Sequence, residues 1–128
     1  MSEAVLDASA LIALLHREPG GEMVAAVLDN AVMSSVNLTE VITKMIDKGV
    51  PPDQARQVTL ASNVVTVAFD EELAITAGLM RDPTRSRGLS LGDRACLALA
   101  QRMNVPALTA DRNWLAVDVG VDVRLIRD

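Results

Sequence analysis

No uninterrupted apolar run in this chain is longer than six residues, as in Ala10 to Leu15, and strand-length runs alternate with stretches of helical period. Val5-Leu6 is a strand candidate, followed by a helix from about Ser9 to His16. Pro19-Gly20-Gly21 makes a turn, and Glu22 to Asn30 is a second helix. Val32-Met33-Ser34 is the next strand and Leu38 to Lys48 the next helix, stopped by Gly49 and Pro51-Pro52. Asp53 to Ser62 is helical, Val64 to Phe69 extended, and Glu71 to Arg81 helical. Asp82 to Gly88 is a polar, arginine-bearing loop. Leu91 to Met103 is a long apolar helix, Pro106-Ala107-Leu108 a strand, Arg112 to Val117 a short helix and Val123 to Ile126 a closing strand. Such alternation predicts βα units whose parallel sheet is covered on both faces. The expected architecture is a three-layer α/β/α sandwich, one domain over residues 1–128.

Phe69 and Trp114 are the only aromatic residues, so the core must be built from Ala, Val, Leu, Ile and Met. That mix suits helices packed on a parallel sheet. The apolar runs fall far short of the roughly twenty residues a membrane span needs. No basic segment followed by an apolar stretch opens the chain, so no signal peptide is expected. Cys96 is the single cysteine, which excludes an intramolecular disulfide and makes a cytoplasmic home the simplest reading. With His16 the single histidine, a zinc-finger-like site is excluded too. The net charge is −5, and its field repels nucleic acid. Two aromatics make no stacking platform for single strands. A passive nucleic-acid binder is disfavoured; a metal-dependent nuclease is compatible.

Three acids fall in one kind of place. Asp7 follows the first strand, Asp111 follows the strand ending at Leu108, and Glu40 falls in the first turn of the helix after the second strand. In a parallel sheet these strand ends share one edge, where open α/β folds bind ligands. Asp93 lies in the first turn of the long helix, in phase with Cys96, Leu97, Ala100 and Met103. Helix capping explains each acid taken alone. Ser90-Leu91-Gly92-Asp93 has the spacing of a capping box, Asn37-Leu38-Thr39-Glu40 nearly does, and Glu40 with Lys44 forms an i,i+4 pair. Capping does not explain why so many acids share one edge. A carboxylate on an apolar surface is costly unless compensated, and Asp7 and Asp93 both interrupt apolar surroundings. Bound divalent cations would relieve the repulsion of four converging carboxylates, and oxygen ligands without His or Cys select Mg²⁺ or Mn²⁺.

At these residues the sequence resembles the PIN-domain family, and within it the VapC toxins of bacterial type II toxin–antitoxin pairs. Val5-Leu6-Asp7-Ala8-Ser9-Ala10-Leu11 looks like the family's first motif, and Ser35-Val36-Asn37-Leu38-Thr39-Glu40-Val41 like its second. Leu89-Ser90-Leu91-Gly92-Asp93-Arg94-Ala95-Cys96-Leu97-Ala98-Leu99-Ala100 is very like the third, and Leu108-Thr109-Ala110-Asp111-Arg112-Asn113-Trp114 is similar to the fourth. The resemblance implies a sheet with strand one at its centre and Mg²⁺ or Mn²⁺ at the acidic edge. It implies an endoribonuclease cleaving RNA by metal-activated water, a homodimer, and a VapB-like antitoxin that occludes the site. Asp7, Glu40, Asp93 and Asp111 would be catalytic and metal-binding. Ser9, Asn37 and Thr109 would fix carboxylates or bound water.

Asp70 also starts a helix after a strand, but it lies outside this acidic set and is expected to be a plain N-cap. Arg81, Arg85, Arg87, Arg94 and Arg112 are candidates for RNA contact or for solvated and ion-paired charge. Trp114 is expected in the core, His16 at its helix end, and the stripe Leu38, Val41, Ile42, Met45 and Ile46 mostly in the core, with part of it open to a partner. A signalling receiver domain needs a second acid beside Asp7 and a late lysine, whereas the chain has Ala8 and Ser9 and only Lys44 and Lys48. A haloacid-dehalogenase-type phosphatase needs an acid where Ser9 stands. Nucleotide-binding folds need a glycine-rich loop, and none is present. The remaining alternative is a PIN fold that acts by binding a partner without nuclease activity.

Overall fold

The computed structural model describes residues 2–128, among which seven α-helices flank a five-stranded, all-parallel sheet. The strands are β1 (Ala4–Leu6), β2 (Ala31–Ser34), β3 (Val65–Val67), β4 (Ala107–Thr109) and β5 (Val123–Leu125), in the order β3-β2-β1-β4-β5. β1 is central, as the resemblance implied. The chain builds outward from β1 to β3 and then returns to lay β4 on the other side of β1. The direction of winding therefore reverses between β1 and β4, the crevice where open α/β sheets bind ligands.

The helices are α1 (Ala8–Leu15), α2 (Gly21–Val27), α3 (Ser35–Asp47), α4 (Pro52–Ala61), α5 (Glu71–Leu79), α6 (Arg81–Thr84) and α7 (Leu91–Met103). Successive strand residues point to opposite faces, and this period of two splits the core. Ala4, Leu6, Ala31, Met33 and Leu108 pack beneath α1 to α4 with Leu11, Val24, Val41 and Met45. Val5, Val32 and Ala107 pack on the other face with Leu73, Ala77, Cys96, Leu97, Leu99 and Trp114. No described helix is long and apolar enough to cross a membrane.

Three local expectations are corrected. α3 starts at Ser35 rather than Leu38, because the Ser34 hydroxyl accepts from Val36 N at 3.2 Å and caps the helix directly off β2. Glu40 consequently lies in the second turn of α3, and Asn37 lies inside the helix. The arginine-bearing stretch from Asp82 to Gly88 is not a loop: α6 runs into a 3-10 turn over Arg85–Arg87. Pro83 falls in the first turn of α6, where no N–H is needed, and the buried Thr84 hydroxyl donates to Met80 O at 2.7 Å. Gly88, at φ 61°, ends the turn. β3 is shorter than Val64 to Phe69, since Phe69 N turns away to donate to Ser35 Oγ at 3.1 Å. Asp70 caps α5 through Leu73 N, and Trp114 is fully buried.

Leu6 fills the central strand and is fully buried, whereas Leu79 is 73% exposed. Leu6→Ala is expected to cost about 2–5 kcal/mol in urea unfolding, and Leu79→Ala less than ~0.5 kcal/mol. Equal losses would contradict the assignment of the core.

Candidate active site

β1 delivers Asp7 to the C-terminal end of the sheet, where it caps α1. Asp7 Oδ1 accepts from Ala10 N at 2.9 Å and from Ser9 Oγ at 2.7 Å, and Oδ2 accepts from Thr109 Oγ1 at 2.6 Å. The Thr109 bond crosses the β1/β4 crevice. Thr109 Oγ1 also accepts from Asp111 N at 3.0 Å, and Ser9 Oγ accepts from Ala110 N at 2.9 Å. Two hydroxyls therefore tie the β4 exit, and the backbone of Asp111, to the Asp7 carboxylate.

Asp7 is buried and forms no ion pair with a Lys or Arg among the described residues. Burial pushes its carboxyl up from 3.8 to about 6, against the lowering by the Thr109, Ser9 and Ala10 hydrogen bonds; the charge of Asp93 adds to the rise. The neighbouring thiol of Cys96, buried on α7, is pushed well up by burial and then by Asp7, Asp93 and Glu40.

Glu40 stands on α3. Its Oε1 accepts from Asn37 Nδ2 at 2.8 Å, and the same amide donates to Gly92 O at 3.0 Å. Asn37 so ties the two helical layers together at this edge. The Glu40 carboxylate lies where a Cβ on residue 92 would be, and Gly92 leaves room for it. Glu40 bonds to Asn37, and no ion pair with Lys44 is present among the described residues. Asn37 Oδ1 is buried without a partner.

Asp93 and Asp111 are turned differently. Ser90 N donates to Asp93 Oδ2 at 2.9 Å while Asp93 N donates to Ser90 Oγ at 3.2 Å, a complete capping box. Asp111 caps the 3-10 turn over Arg112–Ala116, accepting from Asn113 N at 2.9 Å. Among the described residues, no three His, Cys, Asp or Glu side chains stand together as a ready-made metal site. The expectation of four converging carboxylates is corrected to this extent: Asp111 is joined to Asp7 through Thr109, and three of the four expected acids, Asp7, Asp93 and Asp111, each accept a cap bond. Releasing a cap bond costs about 1 kcal/mol.

Arg94 folds inward, donating from Nη1 to Ala77 O at 3.0 Å, with Nε buried. It joins α7 to α5. Two contributors escaped the sequence reading. Gly92 was legible only as a small residue one position before Asp93. Asn113 was legible as an Asx-turn acceptor-to-amide spacing after Asp111, but its side-chain bond to Arg87 O at 2.6 Å was not.

The donor set suits a hard divalent cation. It is all oxygen, it holds a buried carboxylate with no cation beside it, and it leaves the Asn37 amide oxygen unpartnered.

A family model for the PIN domain matches residues 4–120. No curated protein matches the chain. Among solved structures, a chain of the DNA-bound VapBC from Salmonella typhimurium superposes with a TM-score of 0.80 at 20% identity, over 98% of this chain and 99% of that one. VapBC-1 from nontypeable Haemophilus influenzae gives 0.71 at 19%, over 96% and 97%. VapC20 from Mycobacterium tuberculosis, a Sarcin-Ricin loop cleaving toxin, gives 0.68 at 15%, over 91% and 97%. At these identities the likeness is one of fold.

Because the folded chain keeps the Asp7 proton to higher pH than the unfolded chain, its stability contribution is full below pH 3.8 and is lost as pH rises through about 6. Asp7→Asn removes that loss. Without divalent cations it is expected to raise stability at pH 7.5 by roughly 1–3 kcal/mol, with the gain shrinking towards pH 4. Thermal melts across this range check it; a variant less stable than wild type at pH 7.5 would contradict the uncompensated burial.

Proposed function

The chain belongs to the PIN domain family, and on that premise we propose that it is a Mg²⁺- or Mn²⁺-dependent endoribonuclease, the toxin of a VapBC-type toxin–antitoxin pair. The observation that carries this reading is the buried Asp7 at the β1/β4 crevice, with no Lys or Arg paired to it among the described residues and the charge of Asp93 adding to the rise of its carboxyl. A site that confines negative charge in this way is destabilised until a cation enters. Asp7, Glu40, Asp93 and Asp111 would hold the cation. When bound, it would supply charge neutralisation at the phosphodiester and a water of lowered pKa.

The chain's own residues supply positioning. Ser9 and Thr109 fix both oxygens of Asp7, so this carboxylate is pre-set. Asn37 holds Glu40 against the Gly92 backbone, where Glu40 can orient the attacking water or share in holding the ion. Asp93 and Asp111 would have to leave their cap bonds to join Asp7 and Glu40 in holding the ion, at a cost of about 1 kcal/mol each. Water adds its oxygen to phosphorus, the P–O bond to the departing ribose oxygen breaks, and the water proton, taken up by a carboxylate at this edge, ends on that departing oxygen as a hydroxyl.

A VapB-like antitoxin that occludes the acidic edge, a homodimer, a single PIN-like domain over residues 1–128 and a cytoplasmic setting belong to the same reading. The similarity of fold to chains from VapBC complexes supports the antitoxin. One observation favours the rival, a PIN fold that only binds: Asp93 and Asp111 both make cap bonds. Experiment separates the two. Wild-type protein is expected to cleave RNA with Mg²⁺, and Asp7→Asn or Asp93→Asn to lower the rate at least ~100-fold while circular dichroism stays native. Sequencing of RNA ends after induction in a bacterium would reveal the target. Undiminished cleavage by both variants would remove the proposed site, and a harmless wild type with no new RNA ends would favour the rival. Mg²⁺ is also expected to raise the wild-type Tm more than that of Asp7→Asn.

A further inference from the structure

The protein carries a net charge of −5, and its proposed reaction edge carries Asp7, Glu40, Asp93 and Asp111, yet an RNA backbone must settle there. Building on the nuclease reading, we infer that Arg87 and Arg112 form the anchor for the RNA phosphates and that Asn113 is the positioning residue that assembles it. Both arginines are exposed, and neither pairs with a carboxylate among the described residues. Arg94 and Arg85, two further candidates, are committed. Arg94 is turned inward to Ala77 O, and Arg85 shares its charge with Asp82 at 3.8 Å.

Asn113 makes two bonds that bring the backbones carrying the two arginines together beside Asp111. Its backbone N–H donates to Asp111 Oδ1 at 2.9 Å, and its side-chain Nδ2 donates to Arg87 O at 2.6 Å. The turn over Arg85–Arg87 accordingly packs against the turn over Arg112–Ala116. One residue thus fixes both the Asp111 carboxylate and the backbone that carries Arg87, with Arg112 between Asp111 and Asn113 in the chain. Guanidinium groups suit this task, since their forked N–H donors match phosphate oxygens. The contact is to the backbone of any RNA single strand and reads no base.

The test measures binding of a fluorescent single-stranded oligoribonucleotide to the full chain. Mg²⁺ is present, the background is the cleavage-impaired Asp93→Asn, and salt runs from about 50 to 200 mM. Arg87→Ala and Arg112→Ala are each expected to weaken binding several-fold and to flatten the log Kd against log salt slope by about 0.7. Arg56→Ala, an exposed arginine on α4 in the other helical layer, should change neither. Asn113→Ala should weaken binding as Arg87→Ala does. Combined with Arg87→Ala it should add nothing, and combined with Arg112→Ala it should add in full. An unchanged slope in Arg87→Ala and Arg112→Ala, an equal effect of Arg56→Ala, or no RNA binding would overturn the anchor. This pattern of binding without cleavage by wild type would keep the anchor and overturn the nuclease reading beneath it.

Discussion

The burial of the Asp7 carboxylate at the junction of β1 and β4, with hydroxyls and an amide around it and no cation, is the constraint on which the rest of the edge depends. Such a group is expensive, and its rise to about 6 expresses that expense. The surrounding structure accepts the cost and holds the group rigidly. Ser9 and Thr109 hold its oxygens, and through those hydroxyls the backbone of Ala110 and Asp111 is fixed as well. The crevice exists because the winding of the sheet reverses there, so topology and charge meet at the same residue.

The second constraint is the closure of the two helical layers over this edge. Asn37, from the α3 layer, reaches the backbone of Gly92 on α7, and the Glu40 carboxylate occupies the space left by the missing Cβ. These contacts explain why a glycine precedes Asp93 at the start of an otherwise side-chain-rich helix. The Cys96 thiol on the same helix is pushed up first by its burial and then by the charges of Asp7, Asp93 and Glu40, so it stays protonated.

Much of this was legible in the sequence. Strand-length apolar runs between helical stretches mark the order of elements, because the three inner strands β1, β2 and β4 are buried on both faces and the helices have apolar sides. The position of Asp7 and Asp111 after strands placed both at one edge. Where local signals competed, the reading failed. Ser34-Ser35 and Asn37 all look like caps, so sequence alone starts α3 three residues late and puts Glu40 a turn too early. Pro83 among arginines looks like a loop, yet a proline in a first turn costs a helix nothing. The cap bonds of Asp93 and Asp111 were visible as spacing, but the tertiary pull between capping and clustering was not. Nor was the Asn113 link to Arg87, which joins residues 26 apart in the chain through a backbone oxygen.

The account stands on the claim that the acidic edge is a divalent-cation site centred on Asp7. Calorimetric titration of Mn²⁺ into the full chain at pH 7.5 tests it directly. The prediction is saturable binding to the wild type that Asp7→Asn weakens at least ~10-fold, with proton release when the titration is repeated near pH 6. No saturable binding to the wild type, or equal affinity in Asp7→Asn, would contradict it.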